Sequence, residues 1–229
     1  MRGRPRLDGL LPFKDRKEAG KELSRALVEY RGRNVVVLGM PRGGVVVARE
    51  VADALDWPLD IVVTRKIGAP GEPEFALGAV TQEGDVIVDR RAVESVGATA
   101  EYVQEEANRK KSEVKERMKS LRGEMAYPNL EGRIVIIVDD GMATGNSMRA
   151  AVQSVMKRGP KEVIVAVPVA PKEAVEELSM EGTRVVCLEQ PSFFFAIGEF
   201  YKDFVQVEDS EVRELLESAW KSRRLGSAK

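Results

Sequence analysis

One stretch of the sequence decides the fold: Ile134-Val135-Ile136-Ile137-Val138-Asp139-Asp140-Gly141-Met142-Ala143-Thr144-Gly145-Asn146-Ser147. Its first five residues are β-branched and apolar, which predicts a buried strand. Two adjacent carboxylates follow, then a loop of small and hydroxylated residues, and residues 148–157 have the spacing of an amphipathic helix. Glycines in such a loop let backbone N–H groups approach a ligand, and the N-terminus of the next helix attracts anions. The stretch therefore predicts an anion site beside an acidic pair, Asp139 and Asp140.

The acidic pair restricts which anion can bind there. Two carboxylates repel a phosphate unless they hold something else, such as sugar hydroxyls that donate hydrogen bonds or a Mg²⁺ ion. A ribose 5-phosphate with free 2- and 3-hydroxyls combines these features, and the hydroxyls of Thr144 and Ser147 are donors suited to its phosphate. The alternative is a common βα turn whose polar residues only cap the helix.

Several other kinds of site are excluded by the sequence. A P-loop needs Lys followed by Ser or Thr after its second glycine, but Asn146 follows Gly145 here. The glycines in residues 39–44 do not have the spacing of a dinucleotide-binding loop. The chain has no histidine and one cysteine, Cys187, which excludes Ser-His-Asp and Cys-His nucleophiles and leaves no set of zinc ligands.

Residues 134–147 closely resemble the phosphoribosyl pyrophosphate (PRPP) motif of the type I phosphoribosyltransferases. The resemblance implies that Asp139 and Asp140 are catalytic, hold the ribose, and bind Mg²⁺ directly or through water. It also implies that the following residues, here called the phosphate loop, bind the 5-phosphate of PRPP: Gly141, Met142, Ala143, Thr144, Gly145, Asn146 and Ser147.

A second glycine loop is expected to converge on the acidic pair, because open α/β sheets bind ligands at the carboxyl ends of their strands. It is Pro41-Arg42-Gly43-Gly44, here called the diphosphate loop, in which free amides and a bidentate arginine suit a diphosphate. It resembles the pyrophosphate loop of the type I phosphoribosyltransferases, which can carry a non-proline cis peptide. The resemblance implies that Pro41, Arg42, Gly43 and Gly44 bind pyrophosphate. An ordinary βα turn has a similar composition and is the alternative.

Two cations, Arg65 and Lys66, lie where a predicted strand over residues 59–65 ends. Residues 67–73 are rich in glycine and proline, which predicts a mobile loop that closes over an anionic substrate. The pattern resembles the flexible loop of adenine phosphoribosyltransferases. That resemblance implies a catalytic role for Arg65 and Lys66 at the leaving pyrophosphate.

Strand-like and helix-like segments alternate along most of the chain, which predicts the α/β class, with an open, mainly parallel sheet and helices on both faces. We expect one domain over residues 1–229 with a small hood or lid, a hairpin across residues 83–85 and a long charged helix over residues 99–122. Acidic residues surround the basic run at 109–111, which favours a solvated helix face over a nucleic-acid patch.

Motifs along nearly the whole chain resemble an uncharacterised bacterial and archaeal group of predicted phosphoribosyltransferases. This resemblance implies a type I phosphoribosyltransferase-like fold and PRPP binding, but it supplies no acceptor. The motifs are Phe13-Lys14-Asp15-Arg16, Ala19-Gly20, Pro41-Arg42-Gly43-Gly44, Arg65-Lys66-Ile67-Gly68-Ala69-Pro70, Gly78-Ala79-Val80, residues 138–147, Val167-Pro168-Val169-Ala170-Pro171 and Phe200-Tyr201.

The composition limits the partners. With 36 basic and 37 acidic residues, the chain has no overall charge that would attract nucleic acid or an anionic membrane. No apolar run reaches the roughly 20 residues that span a bilayer. Residues 1–6 are basic but lack the apolar core of a signal peptide, so a cytoplasmic protein is expected. The oligomeric state stays open, with a homo-oligomer as one option.

The function expected from these observations is Mg²⁺-dependent transfer of 5-phosphoribosyl from PRPP to a nitrogen nucleophile, such as a nucleobase or related heterocycle, with release of pyrophosphate. The acceptor is expected to stack on Phe193, Phe194, Phe195 or Tyr201, for which an ordinary hydrophobic core is the alternative. A non-catalytic PRPP-binding sensor or regulatory protein is the alternative function.

Overall fold

The computed structural model describes residues 13–123 and 125–226 and contains two sheets. The strands are β1 (Val35–Gly39), β2 (Leu59–Ile61), β3 (Arg65–Ala69), β4 (Glu72–Val80), β5 (Val86–Val88), β6 (Ile134–Val138), β7 (Glu162–Val169) and β8 (Arg184–Glu189). The central sheet is parallel, in the order β2-β1-β6-β7-β8. The smaller sheet is antiparallel, in the order β3-β4-β5.

Helices cover both faces of the central sheet. The helices of the described ranges are α1 (Arg16–Ala26), α2 (Gly43–Leu55), α3 (Arg90–Val96), α4 (Ala100–Arg122), α5 (Asn146–Met156), α6 (Lys172–Met180) and α7 (Asp209–Gly226), with 3-10 turns at Val28–Tyr30 and Ile197–Phe200; of these, α3 packs on the smaller sheet. None of the helices in the described ranges is long and apolar enough to cross a membrane.

Alternate residues of the buried strands belong to two separate cores. In β6, Ile134, Ile136 and Val138 pack with residues of α1, α2, α4 and α7, whereas Val135 and Ile137 pack with residues of α5 and α6. This alternation follows from the two-residue period of a strand buried on both faces. The predicted α/β class with a mainly parallel, doubly covered sheet is confirmed.

The strand predicted over residues 59–65 is shorter than expected, and residues 67–73 are mostly strand rather than the predicted loop, whose closure over a substrate stays a prediction. β2 ends at Ile61, and Arg65–Ala69 forms a strand of the antiparallel sheet, paired with β4. Ile67 is buried, and a Cβ on Gly68 would lie 2.6 Å from the carbonyl oxygen of Pro73. The glycine that suggested mobility instead allows two backbones to pack closely.

Two other expected elements are confirmed. β4 and β5 form the antiparallel hairpin across residues 83–85, and the long charged helix is α4. One narrow face of α4 is buried through Val103, Ala107, Val114 and Leu121. The single domain over residues 1–229 stays a prediction, and the basic residues 1–6 lie outside the described residues.

Candidate active site

The order of the strands brings the two predicted loops together. β1 and β6 are neighbours, and the chain continues from β1 to β2 on one side and from β6 to β7 on the other. Right-handed crossovers then place α2 and α5 on opposite faces, and this reversal opens a crevice at the carboxyl ends of the two strands. The diphosphate loop follows β1 and the phosphate loop follows β6, so both lie at this crevice.

Gly43 and Gly44 pack directly against the acidic pair. A Cβ on Gly43 would lie 1.9 Å from Asp140 Oδ2, and one on Gly44 would lie 2.6 Å from Asp139 Oδ1. Only residues without a side chain leave room at these two positions. The diphosphate loop and the acidic pair are therefore parts of one site.

Arg16, at the start of α1, holds Asp140. Its Nε donates to Asp140 Oδ2 at 2.7 Å, and the two side chains are only 11% and 12% exposed. The guanidinium also lies 3.8 Å from the centroid of the Phe204 ring and donates through Nη1 to the Val205 carbonyl at 2.7 Å. Several contacts thus fix the cation that neutralises one carboxylate of the acidic pair.

Asp139 is in a different environment from its neighbour. Its Oδ1 accepts a hydrogen bond from the Asp140 N–H at 2.8 Å. Burial, and after it the charge of Asp140, raises the pKa of Asp139 well above its usual range. A ligand that brings positive charge or hydroxyl donors to Asp139 would favour its ionised form.

Two distant segments of the chain meet beside the acidic pair. The Phe13 N–H donates to the Phe200 carbonyl at 3.2 Å, and the Lys202 N–H donates to the Phe13 carbonyl at 2.9 Å. The Tyr201 hydroxyl donates to the Asp140 carbonyl at 2.5 Å. Residues 13–16 and 200–205 therefore form a common support for Asp140.

Sequence reasoning missed Arg16 as a site residue. Its contact with Asp140 spans 124 residues, which no local pattern reveals. The available signals were its place in the motif Phe13-Lys14-Asp15-Arg16 and the helix start after Asp15, whose Oδ1 accepts from the Glu18 N–H at 2.8 Å.

The phosphate loop leads into the N-terminus of α5. Met142 is buried and its N–H donates to the Val169 carbonyl at 2.9 Å, whereas Ala143, Thr144, Asn146 and Ser147 are exposed. Gly145 has a φ of 74°, a left-handed conformation that favours glycine. The first turn of α5 carries no acidic residue, so its free N–H groups suit an anion.

The diphosphate loop has a similar relation to α2. That helix begins at Gly43, directly after Arg42, and its first turn also lacks an acidic residue. The Pro41-Arg42 peptide is cis, as the resemblance to the pyrophosphate loop allows. Arg42 Nη1 lies 3.9 Å from Asp209 Oδ1 and 4.0 Å from Glu208 Oε2.

Arg65 and Lys66 occupy the first two positions of β3 and are half-buried. Arg65 Nε lies 3.9 Å from Glu113 Oε2 on α4. Burial, followed by the charge of Arg117, lowers the pKa of Arg65. The two cations thus begin a strand of the antiparallel sheet, whereas the sequence pattern placed them at the end of the preceding strand.

The four aromatic residues expected at the acceptor do not share one environment. Phe193 and Phe195 are 82% and 84% exposed, so they are not core residues. Phe194 stacks on Phe200, with ring centroids 5.4 Å apart. Tyr201 is only 3% exposed, and its burial contradicts the expectation that a base stacks on it.

Comparison with known proteins identifies the family to which this site belongs. A model of the phosphoribosyl transferase domain matches residues 10–204. The chain belongs to the phosphoribosyl transferase domain family. Two Mycobacterium tuberculosis relatives, "Putative phosphoribosyl transferase Rv0571c" and "Putative phosphoribosyl transferase MT0597", are each 40% identical to it over 207 residues, which is 90% of this chain and 47% of theirs. This phosphoribosyl transferase domain thus spans about half the length of these curated relatives.

A solved structure resembles this phosphoribosyl transferase domain closely. The crystal structure of TT1426 from Thermus thermophilus has 45% sequence identity and a TM-score of 0.79, and it aligns with 90% of this chain and 98% of that chain. The overall fold is therefore shared by a protein of known structure.

The residues of this phosphoribosyl transferase domain fit a Mg²⁺ ion. Over the described ranges no group of three or more His, Cys, Asp or Glu side chains could hold a metal alone. Mg²⁺ does not need such a group, because it usually keeps several waters and binds one or two carboxylates together with substrate phosphates. Asp139, and Asp140 through the oxygen that Arg16 leaves unused, would hold the ion directly or through water.

Proposed function

We propose that this protein transfers the 5-phosphoribosyl group of PRPP to a nitrogen of a nucleobase or related heterocycle, with Mg²⁺ as cofactor and pyrophosphate as the leaving group. The packing of Gly43 and Gly44 against the acidic pair carries the proposal, because it joins a loop suited to a diphosphate to carboxylates suited to a ribose. Membership of the phosphoribosyl transferase domain family supports the same class of reaction.

The acidic and the basic residues of the site have different roles in the reaction. Breaking the bond between C1 of the ribose and pyrophosphate leaves positive charge on the sugar and negative charge on the leaving group. Asp139 and Asp140 bind the ribose hydroxyls and stabilise the positive charge. Arg42, Arg65 and Lys66 neutralise the leaving group. A bound Mg²⁺ ion supplies further neutralisation of the diphosphate.

The remaining residues orient the two reactants. The phosphate loop and the N-terminus of α5 anchor the 5-phosphate, which fixes C1 relative to the acceptor. The acceptor base stacks on the exposed aromatic residues Phe193 and Phe195 or on the Phe194 ring. Their segment continues into Ile197, which contacts the phosphate loop, since a Cβ on Gly141 would lie 2.6 Å from Ile197 Cγ2.

The test is incubation of the protein with PRPP, Mg²⁺ and a panel of nucleobases and related heterocycles, with pyrophosphate release as the readout. We expect release that depends on one class of acceptor and on Mg²⁺. Binding of PRPP without release for any acceptor would favour the sensor function. Failure to bind PRPP at millimolar concentration would refute both.

A further inference from the structure

Two arginines from separate parts of the chain pair with one carboxylate, and a third arginine lies near them. Arg117 on α4 forms a hydrogen-bonded ion pair with Asp209, the first residue of α7. Arg42 of the diphosphate loop lies 3.9 Å from the same carboxylate. Arg65 lies close enough for the charge of Arg117 to lower its pKa. Arg42, Arg65 and Arg117 are here called the arginine cluster.

Asp209 satisfies the arginine cluster poorly. One of its oxygens, Oδ1, is buried without a hydrogen-bond partner, because Arg42 approaches it only to ion-pair distance. Arg65 Nε likewise lies 3.9 Å from Glu113 Oε2, which is beyond hydrogen-bond distance. Arg42 and Arg65 meet Asp209, Glu208 and Glu113 only at 3.9–4.0 Å, and at these distances the three carboxylates do not give either arginine the two-oxygen hydrogen bonding that it prefers. A diphosphate carries more charge and more acceptor oxygens.

We propose that Arg117 is a further pyrophosphate-binding residue and that Asp209 is an internal competitor, which the diphosphate displaces from the arginine cluster. This inference rests on the proposed function, in which Arg42 and Arg65 bind the leaving group. Arg117 joins them through the long helix α4, and Asp209 neutralises the cluster until the ligand arrives. Only molecules in which Asp209 has left the cluster bind the diphosphate, so the apparent Kd equals the intrinsic Kd divided by the fraction of such molecules.

The experiment measures the binding of pyrophosphate with Mg²⁺ by isothermal titration calorimetry. Asp209→Asn keeps the size of the side chain and removes the competing charge, so the Kd should fall about two- to fivefold, as expected for a partly exposed ion pair. Arg117→Gln should raise the Kd about tenfold or more, because a charged hydrogen bond is lost. Its affinity for ribose 5-phosphate, which has no diphosphate, should stay unchanged.

Arg109→Gln is the matched control. Arg109 lies on the same helix, pairs with Glu106 and is largely exposed, so its loss should not change the Kd. If the wild type binds pyrophosphate but Asp209→Asn binds it equally or more weakly, the Arg117–Asp209 pair is only structural and the inference is wrong. If Arg117→Gln does not fold, the Asp209→Asn result decides alone. A wild type that binds neither PRPP nor pyrophosphate overturns the proposed function as well.

Discussion

Replacing Gly43 with alanine should damage the acidic pair through one added methyl group. The new Cβ would lie 1.9 Å from Asp140 Oδ2 and 2.7 Å from Arg16 Nε. Real contacts of this kind stay above 3.0 Å, so the carboxylate must move by about 1 Å. That movement breaks the 2.7 Å hydrogen bond from Arg16, which costs about 1.5–3 kcal/mol. The thermal midpoint should fall by roughly 3–12 °C.

The Gly43→Ala substitution should also weaken the binding of PRPP. If Asp140 holds a ribose hydroxyl, displacing its carboxylate by about 1 Å loses a charged hydrogen bond, and the affinity for PRPP should fall at least about tenfold. Isothermal titration with PRPP and Mg²⁺ measures this loss, and thermal denaturation measures the change in stability.

Gly97→Ala provides the control for Gly43→Ala. Gly97 ends α3 with a φ of 63° and has no atom within 4 Å of an added Cβ, so alanine there adds backbone strain of roughly 1–2 kcal/mol without a clash. This variant should lose stability and keep its PRPP affinity. A Gly43→Ala protein that binds PRPP as tightly as the wild type would refute the assignment of the ribose to Asp140.

Four other perturbations test the loops and the charged residues of the site. PRPP with Mg²⁺ should raise the thermal midpoint more than ribose 5-phosphate does, since about 2.7 kcal/mol is gained at a hundredfold excess over Kd; an unchanged midpoint would contradict PRPP binding. Arg42→Ala should weaken pyrophosphate and PRPP binding but spare a nucleoside monophosphate, and equal losses in titrations with all three would place Arg42 elsewhere. Asn at both Asp139 and Asp140 should lower kcat roughly 10²- to 10³-fold and change KM for PRPP less, whereas full activity with reduced stability would make the pair a helix cap. Arg16→Gln should lower the free energy of unfolding by about 3 kcal/mol because it leaves Asp140 without its cation, and denaturant unfolding with a smaller loss in an Asp140→Asn background would confirm the coupling.

The local parts of the site could be predicted from the sequence. Strand β6, the turn after it and the start of α5 depend on neighbouring residues, whose β-branched run and glycines fix the backbone. The alternation of strands and helices likewise predicted the parallel sheet, and with it the convergence of the two glycine loops at the carboxyl ends of its strands, whereas the pairing of β1 with β6 came from the structure. The roles of the residues there stay predictions.

Contacts across the fold could not be predicted in this way. Arg16 reaches Asp140 across 124 residues, and Arg117 reaches Asp209 across 92. A glycine such as Gly68 can either make a loop flexible or let two strands pack closely, and the sequence does not distinguish the two. The short distance from Gly68 to the Pro73 backbone shows that close packing is the case here. In each case tertiary packing, rather than local propensity, determines the result.

The support for Asp140 has a consequence for the order of folding. Residues 13–16 and 200–205 are joined by backbone hydrogen bonds, and the bond from Arg16 to Val205 closes a loop of 189 residues. Contacts of such high contact order form late, because the entropy of closing the loop must be overcome first. During synthesis Arg16 and Asp140 are both made well before residue 205, so the contacts of the Arg16 guanidinium with the Phe204 ring and the Val205 carbonyl are added only after the Arg16–Asp140 pair can form. A chain truncated before this segment would lose the support for Asp140 and also α7, whose Val212 and Leu216 are buried in the same core as β6.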